Sequence, residues 1–153
     1  MRAVTFTTPG SIDVLSLSPQ ALPEPKSGEV RLRITSIGIN RADLLFTQER
    51  YFCKPDFQGL DGTNRIGFEG AGIVDAVCAS SGFKVGDRVA LIPLQMDVNR
   101  QGTVAEYGLY PETSLILTPE SINDQTAGGI WMAYLTAWGG IVTDGGLQKG
   151  QTL

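Results

Sequence analysis

Few residue types in this chain could do chemistry, and histidine is absent altogether. Without an imidazole the chain has no Ser-His or Cys-His nucleophile pair, and it lacks the commonest general base and metal ligand. Its two cysteines, Cys53 and Cys78, are too few for a four-thiolate zinc site or a disulfide framework, so we interpret them as free thiols. The sequence therefore predicts that a borrowed cofactor carries any chemistry.

The composition restricts both the class of protein and its partners. The 153 residues, with a mass of 16.4 kDa, are 42% hydrophobic and 18% charged, which is typical of one soluble globular domain. A net charge of −4 with no clustered basic stripe argues against nucleic acid as a partner. No apolar run reaches the length of a membrane helix and no signal-peptide pattern opens the chain. We expect a cytoplasmic protein without a membrane partner.

Short β-branched runs between glycines and prolines predict a strand-rich fold with tight turns. The predicted strands are Arg2–Phe6, Val14–Ser18, Glu29–Ile39, Gly72–Cys78, Arg88–Pro93, Val104–Tyr110 and Leu115–Leu117. Segment 22–28 contains Pro23 and Pro25, which withhold ladder donors, so it is predicted to be a connector.

A strand-to-helix corner is predicted around residue 40. Alternation along the third predicted strand changes phase, which indicates a β-bulge near Ser36–Gly38. The following residues, Asn40 to Gln48, have a short helical pattern with Asn40 available as N-cap. Asn40 and Asp43 are therefore expected at this corner.

The apolar period becomes helical after Ser121, which forms a capping-box-like start with Asp124. Trp131, Tyr134 and Trp138 lie at helical spacing and are predicted to pack in the core. Glycine pairs at 128–129 and 139–140 predict breaks in the helix or close backbone approaches. The last residues, Gln151 to Leu153, resemble the start of a new strand, so we expect a second domain to follow in the natural protein.

Five short motifs occur in a recognisable order. They are Gly38-Ile39-Asn40-Arg41-Ala42-Asp43 followed by Tyr51, Ile66-Gly67-Phe68-Glu69-Gly70-Ala71-Gly72-Ile73-Val74, Val85-Gly86-Asp87-Arg88-Val89, Gly102-Thr103-Val104-Ala105-Glu106-Tyr107 and Tyr134-Leu135-Thr136-Ala137-Trp138. Together they resemble the N-terminal GroES-like domain of medium-chain dehydrogenase/reductases, on the zinc-independent quinone oxidoreductase (zeta-crystallin-like) branch. The resemblance implies a mainly β fold with short helices, a partly open GroES-like β-barrel over residues 1–153, followed by a Rossmann domain.

The resemblance also implies hydride transfer without a metal. Zinc-dependent members place a cysteine ligand where this chain has Asn40 and a histidine ligand where it has Phe68, and residues 93–103 lack the family's cysteines. The implied function is therefore the substrate-binding half of an NADPH-dependent enzyme that reduces quinones or α,β-unsaturated carbonyls. No G-x-G-x-x-G turn follows a strand here, so NADPH is expected to bind mainly to the missing Rossmann domain. Relatives usually form homodimers through that domain.

The resemblance assigns roles to four residues, each with a plainer alternative. Asn40 is expected to face nicotinamide and substrate, as a catalytic, cofactor-binding and substrate-binding residue, or else only to cap a helix. Asp43 is expected at the substrate site, or else is a solvated or Arg41-paired carboxylate. Tyr51 is expected to bind substrate and donate a proton, or else lies on an irregular loop. Thr136 is expected to approach the nicotinamide, or else hydrogen-bonds back to its own helix.

Two other functions stay open at this point. An enoyl-thioester reductase shares the fold, and the sequence does not separate it from a quinone or enone reductase. A non-catalytic GroES-like binding module is the alternative from another class.

Glu69 is interpreted as a structural acceptor, because its zinc-binding neighbour is missing.

Overall fold

The computed structural model describes residues 1–59, 62–92 and 95–152 and shows a mainly β fold with short helices. Its strands are β1 (Arg2–Phe6), β2 (Ser16–Pro19), β3 (Glu29–Gly38), β4 (Asn64–Arg65), β5 (Glu69–Val77), β6 (Arg88–Leu91), β7 (Tyr107–Pro111) and β8 (Leu115–Leu117). Its α-helices are α1 (Arg41–Thr47), α2 (Val98–Gln101), α3 (Asp124–Ala127) and α4 (Trp131–Trp138). Short 3-10 turns cover Ile12–Val14 and Glu112–Ser114, and α4 continues as a π-helix over Gly139–Asp144.

The strands pair antiparallel in two open sheets within the described residues. The smaller has the order β2-β1-β4, and the larger has the order β7-β3-β5-β6-β8. A bridge between Ala3 and Ala105 joins the smaller sheet to the segment before β7. The predicted fold class is confirmed, with the sheets left open and not closed into a barrel.

The main core lies on one face of the larger sheet. Alternate residues Val30 and Leu32 of β3 are fully buried there, as the period of a half-buried strand requires. A second cluster joins α1 to the smaller sheet through Phe6, Phe46 and Phe68. The rings of Phe6 and Phe46 meet edge to face at 5.8 Å, a favoured aromatic geometry. This second cluster fixes α1 against the strands.

Several predicted boundaries shift for visible reasons. The second strand begins at Ser16, because Ile12–Val14 forms a 3-10 turn. The seventh begins at Tyr107, because Val104 instead bonds to the backbone of Val4 and Ile66. The predicted strand Arg88–Pro93 is observed as β6, ending at Leu91, and its Pro93 lies outside the described residues.

The β3–β5 ladder contains the predicted irregularity close to its expected place. Its register passes from Ile34 opposite Gly72 to Ser36 opposite Ala71, which leaves Thr35 as the extra residue. The bulge therefore lies just before the predicted span, and β3 can turn its last residues toward the corner.

The helical segment after residue 121 departs from prediction in two respects. Its first turn is capped by Asn123, whose side chain accepts from the Thr126 amide, and not by Ser121. The core role predicted for Tyr134 and Trp138 is wrong, because they are 72% and 62% exposed. The expected break is present, since α3 and α4 are separate helices.

Gly128 is the expected close approach in this segment. A Cβ at this position would lie 2.4 Å from Ser36 Oγ, so only glycine lets α3 sit this close to β3. Across the described ranges, no helix combines the length and apolar character required to cross a bilayer.

Candidate functional site

Asn40 and Asp43 lie at the corner between the end of β3 and the start of α1. Asn40 has extended backbone angles (φ −120°, ψ 156°) and precedes the first helical residue, so it occupies the N-cap position. Its backbone N–H donates to Asp43 Oδ2 at 2.7 Å. This bond is half of a capping box, and it holds the Asp43 carboxylate over the first turn.

The side chain of Asn40 points toward a buried acid, Glu69, on the neighbouring strand. Asn40 Nδ2 donates to Glu69 Oε1 at 2.8 Å, and the backbone N–H of Met132 donates to Glu69 Oε2 at 2.9 Å. Glu69 is 2% exposed. Its carboxylate therefore ties together α1, β5 and α4, and it behaves as the predicted structural acceptor.

Asp43 is buried and not solvated, so the plainer alternative considered for it is wrong. It is 3% exposed, and its Oδ1 has no hydrogen-bond partner among the described residues. Burial raises the pKa of Asp43 above its usual value of 3.8, and the nearby Glu69 charge adds to this rise. The backbone amides of Asn40, Gly67 and Phe68 act in the opposite direction on that pKa. The corner thus holds two buried acids close together.

A cleft of about 520 Å³ opens beside this corner. Tyr51 and Thr136, two of the residues singled out in the sequence, line it from different parts of the chain. The other lining residues are Phe52, Cys53, Phe68, Met96, Asp97, Val98, Asn99, Met132 and Leu135. Asn40 and Asp43 are not among the lining residues. Asn40 is linked to Met132 by two hydrogen bonds through Glu69, and Asp43 is linked to Asn40 by a third.

Tyr51 packs its ring in the cleft wall and keeps its hydroxyl free. Its ring meets those of Phe52 and Phe68, with centroids 4.6 and 5.3 Å away. Burial raises the pKa of Tyr51 above 10.0, with smaller effects from Cys53 and Asp43, so the hydroxyl is protonated at neutral pH. Among the described residues this hydroxyl has no hydrogen-bond partner. It can therefore donate to a group in the cleft.

Thr136 makes the local bond that its plainer alternative describes. Its Oγ1 donates to the Met132 carbonyl at 2.7 Å, one helical turn earlier. The side chain is exposed and lines the cleft, so the hydroxyl oxygen can still accept a hydrogen bond there. The two interpretations are compatible.

The methionine lining of the cleft could not be predicted from the sequence. Met96 and Met132 are far apart in sequence and follow no shared motif, so only the fold brings them together. Cys53 also lines the cleft, and burial raises the pKa of its thiol, which makes it a weak nucleophile at neutral pH.

The donor groups at the corner do not suit zinc. In the parts of the chain that the structure describes, no three histidine, cysteine or acidic side chains are grouped to hold a metal. Phe68 presents an apolar ring packed against Phe46, with centroids 5.7 Å apart. The amide of Asn40 is already engaged by Glu69. Zinc in proteins requires nitrogen, sulfur or carboxylate ligands in a tetrahedral array.

Comparison with known proteins identifies relatives along the whole chain. The human synaptic vesicle membrane protein VAT-1 homolog is 33% identical over 156 residues, covering 100% of this chain and 37% of its own length. Squalestatin hexaketide synthase clz14 of Cochliobolus lunatus is 32% identical over 154 residues, 99% of this chain and 6% of its own length. The chain thus spans only part of the curated relatives it matches.

Solved structures agree on the fold. A quinone oxidoreductase of Pseudomonas syringae superposes with a TM-score of 0.77 at 29% identity, over 92% of this chain and 40% of its own. A mycobacterial protein determined in complex with NADPH gives a TM-score of 0.80 at 25% identity, over 98% of this chain and 43% of its own. The family model described as the alcohol dehydrogenase GroES-like domain matches residues 26–120. The chain therefore belongs to the alcohol dehydrogenase GroES-like domain family, within the medium-chain dehydrogenase/reductases.

Proposed function

We propose that this chain is the substrate-binding half of a zinc-free, NADPH-dependent oxidoreductase that reduces quinones or α,β-unsaturated carbonyls. The observation that carries the proposal is the cleft that holds Tyr51 and Thr136 beside the Asn40–Glu69–Met132 network. The likeness to a Pseudomonas quinone oxidoreductase and to an NADPH-bound mycobacterial protein supports it.

The lining of the cleft suits a flat conjugated substrate. Phe52, Phe68 and Tyr51 offer aromatic faces and edges, and Met96 and Met132 offer polarisable sulfur. Pockets of this size with few polar groups bind small organic molecules by burying most of their surface. A quinone or enone ring matches both the apolar walls and the small number of hydrogen-bonding groups.

The corner residues would position the reacting groups. NADPH, when bound, supplies a hydride, which carries two electrons to the substrate and leaves NADP⁺. Thr136 would contact the nicotinamide side from the wall of the cleft, and Asn40 would approach it from beside the lining residues. Asp43 would hold Asn40 in place by accepting from the Asn40 backbone N–H. Because Glu69 accepts from the Asn40 amide nitrogen, it would set the orientation in which the Asn40 amide meets the cofactor or substrate.

Tyr51 would complete the reduction. Hydride addition to an enone or quinone leaves a negative oxygen, which must take up a proton. The Tyr51 side chain lines the cleft, and its hydroxyl is protonated and has no hydrogen-bond partner among the described residues, so it would donate that proton and then recover one from water. The balanced reaction consumes one NADPH and one proton for each substrate molecule reduced.

The proposal extends to the protein as a whole. Residues 1–153 would form the GroES-like domain, and a Rossmann domain beyond it would bind most of NADPH and mediate homodimer formation. We propose a cytoplasmic enzyme whose partner is a small molecule and whose domain uses no zinc, since Phe68 has no ligand atom and the Asn40 amide is engaged by Glu69.

An enoyl-thioester reductase is the second candidate. The similarity to squalestatin hexaketide synthase clz14 favours it. The chemistry at the β-carbon is the same hydride addition, and the difference lies in a longer substrate that carries a thioester.

The experiment is NADPH oxidation by the natural protein in its full length, with 1,4-benzoquinone, an enone and crotonyl-CoA supplied separately. Turnover of the quinone or enone well above that of the thioester supports the proposal. Preference for the thioester assigns the second function, and no NADPH oxidation with any of the three overturns both.

A further inference from the structure

A second cavity, of about 590 Å³, also borders α2. Asn99 of α2 lines both cavities. The other residues lining this second cavity are Met1, Gln20, Ala21, Pro23, Glu29, Thr63, Arg65, Arg100, Gln101 and Leu109. The function proposed above makes no use of it.

A buried arginine, Arg65, stands in the wall of this cavity. It lies on β4, opposite Thr5 of β1, and is 9% exposed. Its Nη1 donates to the Arg100 carbonyl at 3.2 Å, and its Nη2 donates to the Tyr107 carbonyl at 2.9 Å. Its Nε has no hydrogen-bond partner among the described residues. The five donors of a guanidinium are thus only partly used.

No carboxylate in the described segments pairs with Arg65, which sets it apart from a comparable arginine. The side chain of Arg31 is 11% exposed and is held by Asp75 at 2.6 Å and Glu24 at 3.0 Å. Tyr110 does not serve as the missing anion, because burial raises the pKa of its hydroxyl to about 12 and keeps it neutral. A buried cation without an anion is costly, and burial accordingly lowers the pKa of Arg65.

A second cation borders the same cavity. Arg100 is more exposed, and its Nε lies 3.6 Å from the Asp97 carboxylate, a loose contact that leaves most of its donors available. Glu29 also lines the cavity, and its carboxylate accepts from the Lys26 amide at 2.9 Å. Any ligand must therefore place negative charge toward the two arginines and away from Glu29.

We propose that this cavity binds the oxyanion group of a small molecule, a carboxylate or a phosphate, between Arg65 and Arg100. A guanidinium matches the paired oxygens of such groups and holds them by charge-assisted hydrogen bonds. The bound anion supplies the counter-charge that no described residue gives to Arg65. The cavity has room for a small molecule, and the two arginines in its wall favour a negatively charged group on that molecule.

The test is calorimetric titration of inorganic phosphate, and separately of acetate, into the purified protein without NADPH. Ionic strength is kept constant with sodium chloride. We expect saturable binding of at least one of these anions, with a Kd of about 1 mM or lower. The anion that binds more tightly identifies the ligand chemistry as phosphate or carboxylate.

Three variants locate the site. Arg100→Gln should raise the Kd about fivefold without affecting folding, because this side chain is largely exposed. Arg65→Lys keeps the charge but loses the paired geometry, and should raise the Kd about tenfold. Arg33→Gln, an exposed arginine outside the cavity lining, is the charge-matched control and should bind as the parent protein does.

Two outcomes overturn the inference. One is heat that rises linearly with both anions and never saturates. The other is saturable binding that Arg100→Gln and Arg33→Gln weaken equally, since this would reflect net charge alone.

Discussion

Replacing Glu69 with glutamine probes the hydrogen bonds that join the corner to the cleft. Glutamine preserves the shape of the side chain but turns one acceptor oxygen into an NH₂ donor. The native carboxylate accepts from Asn40 Nδ2 and from the Met132 N–H, so either orientation of the new amide leaves one of these donors unpaired. Because Glu69 is 2% exposed, water cannot take over.

The expected loss in the free energy of unfolding is about 2–4 kcal/mol. A buried donor without a partner costs about 1–3 kcal/mol, and the remaining bond becomes weaker because its acceptor is now neutral. Removing the Glu69 charge relieves its repulsion of Asp43, which places the result toward the lower end of that range.

Urea denaturation of the parent protein, Glu69→Gln and a control measures this loss. Glu120→Gln makes the same chemical change at an exposed position and should stay within about 0.5 kcal/mol of the parent. Faster amide hydrogen exchange at Met132 should accompany the loss in Glu69→Gln. A loss no larger than that of the control would show that the two hydrogen bonds to Glu69 do not stabilise the fold.

Three further predictions concern other parts of the fold. Burial raises the pKa of Asp43, so the folded state holds this proton more tightly than the unfolded state does. The free energy of unfolding should therefore fall as pH rises from 3.8 through the raised pKa. Asp43→Asn should flatten this fall, as measured by urea midpoints, and an unchanged slope would contradict the burial argument. Gly128→Ala should lower the free energy of unfolding by about 1–3 kcal/mol, because the added Cβ meets Ser36. Gly139→Ala should raise it by up to about 1 kcal/mol, because Gly139 is helical and has open space around it. Equal effects of the two variants in thermal unfolding would argue against the close approach at Gly128. Tyr51→Phe in the full-length protein should lower enone turnover by about tenfold or more at unchanged NADPH affinity, and Tyr134→Phe, exposed on α4, should not; equal rates would make water the proton source.

Local patterns were enough to place most strands and the corner. Alternation of apolar residues located β3, because Val30 and Leu32 must face the same side of a pleated strand. The N-cap position of Asn40 follows from three neighbouring residues and needs no distant contact. Such features depend on a few consecutive residues, so they can be predicted from the sequence without knowing the fold.

Features set by distant contacts could not be predicted. Glu69 and Met132 are 63 residues apart, and no local pattern indicates that one accepts from the other. The burial of Arg65, with no acid paired to it among the described residues, is likewise a property of the assembled sheets. Helical spacing placed Tyr134 and Trp138 on a helix but could not say what lies against it, so their predicted burial was wrong.

If the proposed function is correct, hydride transfer at this site needs NADPH and no zinc. The most direct measurement is quinone-dependent NADPH oxidation by the full-length protein before and after dialysis against a strong chelator. We predict the same rate in both samples. Loss of activity on chelation, with recovery on adding back one equivalent of zinc, would show that the enzyme depends on that metal.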